Sequence, residues 1–154
     1  MTNRSKAKGT SAETACVRWL HLHGFPHADR QPLRGNKDAG DIALTAGLVG
    51  EVKAYRLPTG YPTPAQLALW LEQAAAEKAN AGAKHCVLIV KRPGTTDVGR
   101  WYAFLPLGEF ALLTEASHIP LSIDELPVML PVAAMVAVLR KAGFGTPLEE
   151  EIAV

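Results

Sequence analysis

The sequence predicts an α/β fold in which a central mixed β-sheet is flanked by helices. Two stretches, residues 12–23 and 66–80, repeat apolar side chains at helical three-to-four spacing. Four shorter runs, residues 41–44, 48–55, 85–90 and 101–105, have strand length and composition. Their order, helix, paired strands, helix, strand, strand, helix, is that of helices layered on a small sheet. With 154 residues, 48% of them hydrophobic and 20% charged, the chain suits one domain with a real core and excludes wholesale disorder.

Residues 1–9 are basic and polar and read as a flexible arm, with 10–154 a single domain. Thr10 or Ser11 can cap the first helix, whose apolar positions Ala12, Ala15, Cys16, Trp19 and Leu20 run on until Gly24 ends it. Glu13 sits in its first turn, where an acid has an ordinary capping role. Residues 25–40 hold a short strand and then a polar, glycine-containing loop. Asp41 to Leu44, a turn at Thr45-Ala46-Gly47, and Leu48 to Tyr55 read as an antiparallel hairpin. Gln66 to Asn80 is a long helix closed near Gly82, and Gln66 has a plain first-turn role there. The all-apolar run from His85 to Val90 suits a central strand, and Trp101 to Leu105 a further one. Gly108 to Ala116 reads as a helix, Ser122 to Leu126 as an acidic helical turn, and Pro131 to Ala142 as a short apolar helix. Residues 117–154 thus form a helical C-terminal extension, which either covers the sheet or joins two subunits.

Cys16 and Cys86 lie in apolar segments and are too few for a disulfide scaffold, which fits a cytoplasmic protein. The basic start lacks the apolar region of a secretory signal, and the longest apolar stretch, Leu126 to Leu139, is too short to span a bilayer. Net charge is +1, yet residues 1–60 carry nine basic against five acidic side chains. That bias offers a cationic face to a polyanion.

One group of residues has chemistry of its own. Glu51 and Lys53 stand two apart on the second hairpin strand, so they share a face about 6.6 Å apart, with Val52 facing the other way. The fold-back brings Asp41 towards Glu51. All three sit in sequence that otherwise reads as sheet core, where unpaired charge is costly. Two carboxylates can hold Mg²⁺, or Mn²⁺ in its place, with the Val52 carbonyl as a further oxygen ligand. Such an ion supports phosphodiester hydrolysis by polarising the phosphoryl group and activating water. Lys53 can orient or help deprotonate that water, or offset phosphoryl charge. The rival reading is a cross-strand ion pair at an exposed edge. Glu13 is available as a third carboxylate, and Arg30, Arg34 and Lys37 precede Asp41 as candidate phosphate contacts. Lys8, with Arg4 and Lys6, can lie along DNA or simply fray.

Gly40-Asp41-Ile42, nine residues, then Glu51-Val52-Lys53 resembles the active-site signature of the PD-(D/E)xK nuclease superfamily. Lys8-Gly9-Thr10-Ser11-Ala12-Glu13 and the later Gly24-Phe25 are similar to the start of archaeal-type Holliday junction resolvases and their relatives in phages and actinobacteria. The resemblance, over roughly residues 8–105, implies a restriction-endonuclease-like core. It implies Asp41 and Glu51 as metal-binding carboxylates, Lys53 as the catalytic lysine and Glu13 as the helix-borne glutamate near the metal. The family often has proline where this chain has Gly40, and the serine-containing loop of archaeal members is matched only loosely by residues 33–37. Family members cut branched DNA as homodimers, one cut per subunit. The expected activity is therefore Mg²⁺-dependent endonucleolytic cleavage of four-way junctions. The alternatives are a restriction- or repair-type relative acting on linear or other branched DNA, and a non-catalytic DNA-binding protein retaining the fold. Trp19, Trp70 and Trp101 are expected in the core. The five histidines lack metal-site spacing, and the Lys91 to Arg100 stretch can touch a substrate arm.

Overall fold

Apolar residues on both sides of one sheet organise the molecule. A computed structural model describes residues 3–32, 38–116 and 119–152. Among the described residues six strands lie in chain order: β1 (Asp29–Arg30), β2 (Ile42–Thr45), β3 (Leu48–Lys53), β4 (His85–Val90), β5 (Tyr102–Pro106) and β6 (Pro127–Pro131). Only β3 and β4 pair in parallel; the other neighbours are antiparallel, so the sheet is mixed as expected. The parallel pair needs a crossover, which α2 (Pro64–Ala81) supplies. The remaining helices are α1 (Asn3–His21), α3 (Leu107–Leu113), α4 (Val132–Lys141) and α5 (Glu149–Ile152).

The central strand β4 is buried along its whole length because helices cover both faces. Val87 and Ile89 join Ile42, Leu44 and Val52 in a core shared with α1 and α4. Leu88 and Val90 face Leu67 and Trp70 of α2, and Val49 and Cys86 meet Ala74 further along that helix. The side chain of Thr63 accepts from the Gln66 N–H while that of Gln66 accepts from the Thr63 N–H. This capping box, a contribution of about 1 kcal/mol, gives Gln66 its plain structural role. Gly82, at φ 61°, closes α2 in the left-handed conformation.

Several boundaries differ from expectation. Helix α1 begins at Asn3, so residues 3–9 continue the helix and do not form a separate arm. Lys, Ala and Arg favour helix there and no proline interrupts them. The hairpin turn is Ala46-Gly47, with Gly47 at φ 79° and an irregular register between Ala43 and Thr45. β3 stops at Lys53, not Tyr55. The C-terminal stretch is not wholly helical. Pro127–Pro131 is a strand on the sheet edge, where a residue without an N–H is tolerated, and residues 121–125 are turns. Helix α4 covers the sheet with Val132, Met135, Val136 and Leu139. Among the described residues no helix is long and apolar enough to cross a membrane.

Candidate active site

Asp41 reaches its position through backbone pairing on both sides. Its N–H donates to the Gly50 carbonyl at 2.9 Å, and its own carbonyl accepts from the Gln31 N–H at 2.8 Å. The side chain is held as well: Oδ2 accepts from the Val52 N–H at 2.8 Å. Strand alternation sends Val52 into the α1 core and turns Glu51 and Lys53 towards α2. Lys53 Nζ lies 2.8 Å from Glu51 Oε1. Asp41 and Glu51 come within hydrogen-bonding reach of one another on that same side. The three residues expected to meet therefore do meet, and the pair of Glu51 with Lys53 lies under a helix and not on an exposed edge.

Burial decides the electrostatics. The Asp41 carboxyl is pushed up to about 8 by burial first and then by the Glu51 charge, against the opposing hydrogen bond from Val52. Glu51, only 5% exposed, is pushed up to about 7 by burial and by a further carboxylate, Glu77, with Lys53 pulling the other way. Burial alone would lower Lys53; its hydrogen bond to Glu51 and the Glu51 charge outweigh that and raise it. Lys53 is thus held as an ammonium at neutral pH.

Glu77 was not among the residues singled out from the sequence. The signal was present, because Leu67, Trp70, Ala74 and Glu77 follow three-four-three spacing and the first three are core. A carboxylate at the fourth position of an apolar stripe is a conflict that asks for an explanation.

Glu13 Oε2 accepts from Arg30 Nε at 2.8 Å, and its charge contributes to the rise at Asp41. Arg30, expected to face phosphate, is held by that carboxylate at the β1 edge. Lys8 is exposed on α1. Arg34 and Lys37, with the rest of residues 33–37, lie outside the described residues, as does His118. Lys91 and Arg92 are exposed beside the site, the Lys91 N–H donating to the Lys53 carbonyl at 2.9 Å. Their cations lie over the Trp101 and Tyr102 rings at 5.7 and 5.5 Å. Trp70 and Trp101 are core, whereas Trp19 is half-buried and stacks on His23 at 3.7 Å.

Gly40 corrects one inference. It stands where the family often has proline, yet its φ is 98°, of opposite sign to the angle proline enforces. The chain enters Asp41 by a backbone path that proline cannot take.

No family model matches the chain, and neither a curated protein nor a solved structure matches it. The site is judged by its own donors. Glu51 Oε2 is buried with no hydrogen-bond partner among the described residues, while Oε1 is taken by Lys53. An open carboxylate oxygen beside a second carboxylate fits a hard divalent cation, whose charge would replace the protons these groups otherwise retain. No group of three or more His, Cys, Asp or Glu side chains among the described residues is arranged to hold a metal ion.

Proposed function

We propose that this chain is a divalent-metal-dependent DNA endonuclease of the PD-(D/E)xK kind, built on a restriction-endonuclease-like core. The observation that carries the reading is the convergence of Asp41, Glu51 and Lys53 on one side of the hairpin, with an unpartnered Glu51 oxygen beside them.

Asp41 and Glu51 would hold Mg²⁺ or Mn²⁺, with the Val52 carbonyl between the two functional side chains of β3 as a further oxygen. The bound ion would supply charge to the phosphoryl oxygens and lower the pKa of water beside it. Lys53, kept protonated by Glu51, serves as a fixed cation and hydrogen-bond donor that orients water or offsets phosphoryl charge. Its raised pKa argues against the general-base role. Glu13 adds negative charge at the Asp41 end and fixes Arg30 near the path of a phosphate backbone. Lys8, Arg34 and Lys37 would extend that path.

Branched DNA, with four-way junctions foremost, is the substrate we infer from the resemblance, cut by a homodimer that contributes one nick per subunit. Shape-selective binding through phosphates needs no base-reading module. The test is incubation of purified protein with matched junction, flap and linear duplexes in Mg²⁺ and in EDTA. Paired nicks confined to the junction and dependent on Mg²⁺ are expected. Preferential cutting of linear duplex moves the assignment to a restriction- or repair-type nuclease. DNA retention without cleavage in Mg²⁺ or Mn²⁺ moves it to a binding protein.

A further inference from the structure

We propose that Glu77 of α2 is a positioning residue for the divalent cation: its buried carboxylate, beside Glu51, deepens the negative potential that holds the ion at the site. This rests on the metal-dependent reading above and adds a residue to it. Glu77 is 4% exposed, and its Oε2 is buried with no hydrogen-bond partner among the described residues, as is Glu51 Oε2. The two side chains lie within hydrogen-bonding reach, yet neither has a proton to donate when ionised.

Ordinary packing does not account for this. The stripe of Leu67, Trp70 and Ala74 that leads to Glu77 fills the α2 core, and an apolar side chain would continue it without cost. Nor is Glu77 matched by the nearest lysine on its own helix. Lys78 lies 3.3 Å from Glu109, which also binds His85 at 2.8 Å. Glu109 shows how this fold treats a structural acid, by giving it cations. Glu77 faces the Glu51 carboxylate and shares with it the charge of Lys53, whose ammonium is paired with Glu51.

The same end of α2 also governs the approach to Asp41. One turn beyond Glu77, Asn80 Nδ2 donates to the Asp38 carbonyl at 2.9 Å, and Asp38 Oδ1 accepts from the Gly40 N–H at 3.0 Å. The helix is thus fastened to the segment that delivers one carboxylate while pressing an anion against the other. With Lys53 holding Glu51 Oε1, Oε2 is the oxygen left without a partner among the described residues. A divalent ion placed there gains from both charges.

The experiment is calorimetric titration of the intact protein with Mn²⁺, together with melting in EDTA, for wild type, Glu77→Gln and Glu77→Asp. Glu77→Gln should weaken Mn²⁺ binding about tenfold or more and raise the metal-free Tm, because Gln can donate to Glu51. Glu77→Asp should restore much of the affinity. Affinity for the Gln variant within about twofold of wild type overturns the proposal and leaves the nuclease reading intact, as does a lowered metal-free Tm, the mark of a packing role. Loss of a whole Mn²⁺ equivalent overturns it in favour of a direct ligand. A wild-type protein that binds no Mn²⁺ overturns both.

Discussion

Replacing Asp41 with Asn should make the metal-free protein more stable at alkaline pH while abolishing the proposed cleavage. Asn is close to isosteric and its Oδ1 can still accept the Val52 N–H, so the backbone anchor survives. What changes is charge. The folded state raises the Asp41 carboxyl from 3.8 to about 8, whereas in the unfolded chain it titrates near its ordinary value. Between those limits the folded protein binds more protons than the unfolded one, so stability is complete below about pH 4 and falls as pH rises through about 8. One excess proton corresponds to about 1.4 kcal/mol per pH unit, or about 3 kcal/mol between pH 5 and 7.5. Asp41 is partly open to solvent and coupled with Glu51, and we assign it half of this, about 1.5 kcal/mol. For a chain of this size that is about 3–6 °C in Tm. The assay is melting of wild type and Asp41→Asn in EDTA at pH 5 and 8, repeated in 10 mM Mg²⁺. A gain for Asn that grows from pH 5 to pH 8, and recovery of the wild type alone by Mg²⁺, are expected. An Asn variant no more stable than wild type at pH 8 would refute the claim that Asp41 carries a buried charge needing a cation.

Further outcomes follow from the same geometry. Asp41→Asn, Glu51→Gln and Lys53→Ala should each cut junction cleavage at least about 100-fold in gel assays while gel-shift affinity for junction DNA stays near wild type. Changing Arg34 and Lys37 together to Ala should weaken binding and lower the log–log salt slope by about 2, since two fewer counterions are released; an unchanged slope removes both from the interface. Gly40→Ala should cost about 1–3 kcal/mol in urea melts, because it places a side chain at φ 98° with its Cβ 3.3 Å from the Gly50 carbonyl oxygen. Cleavage should fall with it as Asp41 is displaced.

The hairpin was legible because strand chemistry is local. Alternation places Glu51 and Lys53 together whatever surrounds them, and a glycine turn folds Asp41 back. The long helix and the strand His85–Val90 were legible for the same reason, each having caps or boundaries in its own residues. The stretch 127–131 was not. Its prolines bar a helix interior and a central strand alike, and only pairing with β5 made it an edge strand. The sign of φ at Gly40 likewise depended on the pairing around it.

By itself, then, the chain determined its class, its layers and the three side chains that meet on one side of the hairpin, since periodicity and spacing act over a few residues. Tertiary structure alone decided that α2 lies over those side chains, that Glu77 faces Glu51 across that contact, and that Lys53 stays charged. Burial and long-range carboxylate repulsion arise only when distant segments pack, and no local pattern encodes their strength.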